Sequence, residues 1–385
     1  MAAPARVPTT GLATGSAATG SATVPATHRK PAFHPLRVAG VDRLTDDAVC
    51  LAFDVPEHLR RDFDFRPGQH VTVRSPQVGD TVRRNYSICS PAGSGELRIG
   101  VKRLPGGAFS GYALKRLRVG DTLDVMTPTG RFGTALDPGR SRHYCAVAAG
   151  SGITPVLSIL ATALRVEPDS RVTLLYGNRS VGSIMFTEEL ADLKNRYPER
   201  VILVHVLSRE AHEVELFHGR IDADRLPRLL AAVAPADTVD EWFLCGPLGM
   251  VEPARSVLRG LGAPPETIHF ELFHVDGRPA APVSEAGPAP VPAGASAVTV
   301  VLDGRSSTFP LRGDGQGILD AALAVRADAP YACKSGVCGT CRARLLAGEV
   351  RMDQNYALEP DEVRAGFVLA CQSHPVSDQV TLSFD

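Results

Sequence analysis

The plainest chemistry in this 385-residue sequence lies near its end, in Cys333, Cys338, Cys341 and, after 29 intervening residues, Cys371. A C-x4-C-x2-C run with a distant fourth thiol is the spacing that holds a [2Fe–2S] cluster, a carrier of one electron at a time. Ser335, Gly336 and Gly339 are small enough to let the loop wrap closely and turn its N–H groups toward sulfur. A four-cysteine structural zinc site and a pair of disulfides are the competing readings. If the cluster reading holds, the chain upstream should deliver single electrons to it.

Two other constellations precede the cysteines. In Arg84-Asn85-Tyr86-Ser87, a cation, an aromatic face and a hydroxyl suit the pyrophosphate, the ring and the N5 edge of a flavin. Gly107-Ala108-Phe109-Ser110 is a glycine turn running into the helical stretch Tyr112–Leu117, whose first amides can receive a phosphate. Either piece alone reads equally well as a surface strand or a plain turn; it is their order that makes the flavin site.

The second constellation is dispersed. Gly150-Ser-Gly152-Ile-Thr154-Pro155 follows the apolar run Tyr144–Ala149 and precedes a helical pattern, which is a dinucleotide turn with proline at the third glycine. Thr154 suits the N-cap and Pro155 the first helical position. After the next two strand patterns stand Arg179, then Ser208 and Arg209, where an NAD site would want an acid; this set suits the 2′-phosphate of NADPH. Cys245-Gly246-Pro247 ends a further buried run, where a thiol can sit beside the nicotinamide or simply fill the core.

Three domains must position these groups. Period-two runs between Gly/Pro turns over 34–138 predict an antiparallel β-barrel. Over 139–275, five apolar strand patterns alternate with helical stretches, predicting a doubly wound α/β domain with a parallel sheet. A Pro/Ala-rich linker covers 276–297, and 298–385 reads as a small α+β grasp fold around the cysteine loop. Residues 1–33 lack acids and are expected to be a disordered tail.

Composition narrows the partners. Lys+Arg 41 against Asp+Glu 42 favours neither nucleic acid nor an anionic membrane. No apolar stretch is long enough to predict a membrane span. Cys50, Cys89, Cys145 and Cys245 stand singly in apolar runs as free thiols would, so a cytoplasmic location is expected.

Arg84-x-Tyr86-Ser87, Gly107-x-x-Ser110, Gly150-x-Gly152-x-Thr154-Pro155 and Cys245-Gly246-Pro247, in that order, resemble the ferredoxin–NADP reductase superfamily, here with a plant-type ferredoxin module at the C-terminal end. Phe65–His70, Tyr176–Arg179, His218–Asp222 and Asn355–Asp361 make it most similar to the reductase subunits of phenylacetyl-CoA epoxidases. The resemblance runs from about Phe33 to Asp385. It implies FAD rather than FMN, and places Glu271 and Phe273 where a carboxylate and an aromatic approach the flavin. Ser87, Cys245 and Glu271 become the candidate catalytic groups. The implied activity is electron transfer from NADPH through FAD and [2Fe–2S] to the di-iron oxygenase that epoxidises phenylacetyl-CoA. Reduction of a Rieske-type or other di-iron hydroxylase, and a non-enzymatic redox carrier or sensor, are the alternatives.

Overall fold

The computed structural model describes residues 5–7, 32–79, 82–274, 294–302, 304–326 and 329–385, with backbone alone at 5–7 and at His274. Most of the expected tail and linker lies outside the described residues. Ala5–Val7 form a strand, β1. The chain divides into two units, one holding residues 31–278 and the other the remainder.

In the larger unit, β2 (Phe33–Thr45), β3 (Ala48–Asp54), β4 (His70–Arg74), β5 (Arg83–Ser87), β6 (Leu97–Lys102) and β7 (Thr122–Met126) form an antiparallel sheet in the order β5-β4-β7-β2-β3-β6. Alternation does the sorting: Leu36 and Val38 are buried while Arg37 between them is exposed. The sheet closes on itself where Ile88, just past β5, bridges Ile99 of β6. Helix α1, Ala108–Lys115, begins four residues before the expected stretch. The reason is Ser110, whose Oγ accepts the Leu104 amide at 3.1 Å and closes the glycine turn early enough to start the helix at Ala108.

The α/β part contains β8 (His143–Ala149), α2 (Ile153–Val166), β9 (Arg171–Asn178), α3 (Thr187–Arg196), β10 (Val201–Leu207), α4 (Arg225–Val233), β11 (Glu241–Pro247), α5 (Leu248–Gly260) and β12 (Ile268–His274). Its sheet is wholly parallel in the order β10-β9-β8-β11-β12, with the two most apolar runs at its centre. Thr154 is not the N-cap expected of it. A 3-10 turn over Gly150–Gly152 leads directly into α2, so Gly152 caps the helix and Thr154 and Pro155 lie within its first turn. Proline costs nothing there, because first-turn amides have no intrahelical partner.

In the smaller unit, β13 (Ser296–Leu302), β14 (Arg305–Leu311), α6 (Ile318–Val325), β15 (Arg342–Ala347), β16 (Val350–Met352), α7 (Pro360–Arg364), β17 (Phe367–Leu369), β18 (Ser373–Pro375) and β19 (Gln379–Ser383) form a mixed sheet β14-β13-β19-β15-β17 and a small one, β1-β16-β18. The hairpin, helix and closing strand follow the sequence pattern; β15–β18 and α7 are too short to show one. Ile318, Leu319 and Ala322 of α6 pack on Val298, Val300 and Leu382, a core that backs the cysteine loop.

Candidate functional site

Strand β5 presents its residues alternately. Arg84 and Tyr86 share one side, and Asn85 and Ser87 the other. On the first side the Tyr86 ring leans on Phe109, centroids 5.5 Å apart. Phe109 is itself buried in the barrel core, so its side chain braces the stacking residue and only its backbone is left for a ligand. Arg84, half-buried, donates to the Arg83 carbonyl at 2.7 Å. The amides of Ala108, Phe109 and Ser110 form the first turn of α1. A cation, an aromatic face and a helix N-terminus on one barrel thus fit the phosphate and ring of FAD.

The other side of β5 faces β12. Ser87 Oγ donates to Glu271 Oε2 at 3.2 Å, and Glu271 pairs in register with Cys245 of β11. The three candidate catalytic groups, far apart in the chain, therefore converge on one carboxyl. Burial pushes Glu271 up to about 7, against the pull of the Ser87 hydrogen bond. The Cys245 thiol is raised well above the ordinary range, by burial first and then by Glu271, and stays protonated.

His70 joins this group. Its Nδ1 lies 3.9 Å from Glu271 Oε1. Thr72 Oγ1 donates to Asn85 Oδ1 at 2.7 Å, which turns the Asn85 amide toward His70 Nε2 at 3.1 Å. His70 Nε2 is thereby the acceptor, and its Nδ1 proton points to the carboxyl. Burial lowers His70 to about 4, so the imidazole is neutral at ordinary pH. The sequence signal was present in Phe65–His70, but only the β4–β5 register, His70 opposite Ser87, gives it a role. Gly68 sets that register. It has φ +88°, and a Cβ there would lie 1.8 Å from the Phe132 carbonyl oxygen.

The nucleotide turn meets the same corner. A Cβ on Gly152 would stand 2.2 Å from the Cys245 carbonyl oxygen, so only glycine lets the turn press on the end of β11. Gly150 has φ +55° and its carbonyl accepts the Tyr176 hydroxyl at 2.9 Å. Thr154 is buried with its Oγ1 on the Ser151 carbonyl. Phe273, half-buried, packs against the α/β core, and Gly246 and Pro247 carry the chain out of β11. Arg179 and Arg209 are exposed at adjacent strand ends, joined by the Arg209 amide on the Arg179 carbonyl at 2.8 Å, with half-buried Ser208 beside them. Glu210 reaches the same edge, where its Oε2 accepts the Val181 amide at 2.8 Å.

In the smaller unit all four cluster cysteines are free thiols, as are Cys50, Cys89, Cys145 and Cys245, which are buried. This excludes the disulfide reading. The Ser335 amide donates to Cys333 Sγ and the Thr340 amide to Cys338 Sγ, each at 3.4 Å. Gly336 and Gly339 have φ +75° and +67°, turning the loop as small residues permit. Cys333 is drawn well below the ordinary thiol range, first by a hydrogen bond from Cys338 and, against its burial, by Ser335 and Val337. Among the described residues no three His, Cys, Asp or Glu side chains gather to hold a single metal ion. Zinc would need such a knot; a two-iron cluster spreads four thiolates over two metals. The donor set fits [2Fe–2S].

Fold and sites define a flavin-dependent oxidoreductase that takes electrons from a nicotinamide nucleotide and carries its own iron–sulfur cluster. Residues 35–133 match the oxidoreductase FAD-binding domain, 146–256 the oxidoreductase NAD-binding domain and 300–376 the 2Fe-2S iron-sulfur cluster binding domain. The chain is 46% identical to the reductase subunit of the 1,2-phenylacetyl-CoA epoxidase of Escherichia coli K12, over 92% of this chain and 98% of that one. It is 36% identical to the ferredoxin reductase component of 3-ketosteroid-9-alpha-monooxygenase from Rhodococcus rhodochrous, over 91% and 96%. Among solved structures it shares a fold with phthalate dioxygenase reductase, with a TM-score of 0.57, 23% identity and coverage of 91% and 98%. The chain belongs to the oxygenase-reductase family of the ferredoxin–NADP reductase superfamily, which includes the epoxidase reductase. Its cofactors are FAD and [2Fe–2S]. Among the described residues no helix is long and apolar enough to cross a membrane.

Proposed function

We propose that this chain is the NADPH-dependent reductase of a phenylacetyl-CoA epoxidase, handing electrons singly to its di-iron oxygenase in the cytoplasm. The observation that carries this reading is the 46% identity to the Escherichia coli epoxidase reductase across nearly the whole of both chains, against 36% to the ketosteroid component. Free buried thiols at Cys50, Cys89, Cys145 and Cys245 suit a reducing compartment.

When bound, FAD supplies a two-electron acceptor that releases electrons one at a time, and the cluster takes them singly. The protein's residues do the rest. Arg84 and the first turn of α1 hold the diphosphate, and Tyr86, braced by Phe109, supports the ring. Gly152 and Cys245 shape the seat of the nicotinamide, and Arg179, Ser208 and Arg209 hold the 2′-phosphate. Ser87 Oγ stands at the N5 edge and passes a proton to or from Glu271, whose burial sets it near neutrality.

The test is reconstitution. With NADPH, the purified chain should support epoxidation by the oxygenase subunits of a phenylacetyl-CoA epoxidase at least tenfold faster than hydroxylation by a ketosteroid oxygenase component. Equal rates, or the reverse, would remove the acceptor assignment while leaving the reductase intact.

A further inference from the structure

The residue after the fourth cysteine makes contacts that the role of the cysteines does not explain. Gln372 is 7% exposed, and its Nε2 faces three acceptors: the Lys334 carbonyl at 3.0 Å, the Cys371 carbonyl at 3.2 Å and Cys371 Sγ at 3.6 Å. An amide nitrogen has two protons. One is committed to Lys334, the shortest contact, and the second is shared between the oxygen and the sulfur of Cys371. A ligating sulfur carries negative charge, and hydrogen bonds to anionic acceptors are roughly twice as strong as neutral ones, so with the cluster in place the sulfur wins that proton.

The first contact has its own purpose. Lys334, directly after the first ligand, has φ +53°, a conformation that costs a non-glycine residue on the order of 1–3 kcal/mol and persists only when neighbours impose it. Three neighbours do so. Gln372 grips its carbonyl, Asp320 accepts its Nζ at 2.7 Å, and the Tyr331 ring lies 4.8 Å from the same ammonium. The backbone of Gln372 is anchored in turn, its amide on the Leu369 carbonyl and its carbonyl on the Asp353 amide, both at 2.9 Å. A Cβ on Gly336 would stand 3.2 Å from Gln372 Cγ, so the loop is folded closely around this side chain.

We propose that Gln372 is a positioning residue of the iron–sulfur site: its amide ties the loop of the first three ligands to the fourth and donates a hydrogen bond to Cys371 Sγ that raises the reduction potential of the cluster. A donor on a cluster sulfur stabilises the reduced, more negative state, which is the direction that draws electrons from the flavin. The step is reversible one-electron uptake by the cluster, with the electron supplied by the nicotinamide nucleotide through FAD.

The experiment is an anaerobic redox titration of the full-length holoprotein with mediator dyes, read from the cluster absorption and from the g-values of the reduced state. At a fixed poise near the native midpoint, Gln372→Leu should lower the reduced-to-oxidised ratio about fivefold, the effect of losing one ordinary hydrogen bond. Gln372→Glu, which adds charge and removes the donor, should lower it further. Should Gln372→Leu fail to hold two irons, the double variant Lys334→Gly, Gln372→Leu removes the need for the clamp, because glycine accepts the left-handed conformation. The proposal expects that double variant to load and to keep the negative shift. A fully loaded variant, single or double, with native midpoint and g-values would show that Gln372 does not tune the cluster and would overturn the proposal.

Discussion

The two redox sites of this protein are built in opposite ways. The cluster site takes three of its four ligands from nine consecutive residues, and backbone amides and left-handed glycines shape it. The flavin corner takes Ser87 from the barrel, Cys245 and Glu271 from two strands of the parallel sheet, and His70 from the strand beside Ser87, and burial holds every one of them neutral or near neutrality. The cluster gathers negative thiolates, whose charge amides and metal absorb. The flavin corner handles hydride and protons, so it excludes charge until a proton moves. The type of particle carried decides whether a site can be local and anionic or must be assembled, buried and uncharged.

Substitution at the cluster should separate the two sites most sharply. Cys338→Ser should abolish the cluster absorption and lower cytochrome c reduction by at least ~100-fold, while flavin-mediated ferricyanide reduction with NADPH stays within about twofold of native. Loss of both activities would refute the serial pathway. At the other site, Glu271→Gln should slow turnover by roughly 10–100-fold. Release of electrons from reduced flavin frees a proton, and Glu271, raised to about 7, accepts it only when ionised. Native turnover should therefore rise as pH passes through about 7, and the Gln variant should lack that limb. A limb that survives in the variant would assign the proton elsewhere.

The nucleotide edge should respond less. Arg179→Ala and Arg209→Ala should each raise the KM for NADPH by about tenfold and leave that for NADH unchanged. An equal effect on both nucleotides would mean that the arginines do not read the 2′-phosphate. The smallest effect concerns stability. Glu271 has a folded pKa above its unfolded value, so the folded chain keeps a proton that the unfolded chain loses, and stability falls as pH rises from about 4.5 to about 7. Without cofactor, Glu271→Gln should therefore gain ~1–2 kcal/mol over native at pH 8 and nothing at pH 4, as read from denaturant midpoints.

The same contrast governs what could be read from the sequence. A site made from one loop shows itself in its spacing, so all four cysteines and the glycines among them were legible. The parallel sheet was legible too, because fully buried strands such as Tyr144–Ala149 are continuous apolar runs. Arg84, Tyr86 and Ser87 could be picked out, but their division between two sides of β5 needed the strand to be seen. His70 could not be assigned, since its meaning lies in a cross-strand register and in an Asn85 amide oriented by Thr72. The start of α2 was misplaced because a 3-10 turn has no pattern of its own in the sequence.

One feature of the core bears on how the enzyme turns over. Ala48, Cys50 and Cys89 of the barrel share a single buried cluster with Ile153, Val156 and Ile159 of α2, and a Cβ on Gly100 would meet Thr154 at 2.6 Å and Phe186 at 3.1 Å. Barrel and α/β sheet are thus fused rather than hinged, and prising them apart would wet a continuous oily seam. The nicotinamide must slip into and out of a slot whose walls do not part, so its comings and goings call on side-chain rearrangement, a movement far smaller and quicker than the closing of a domain.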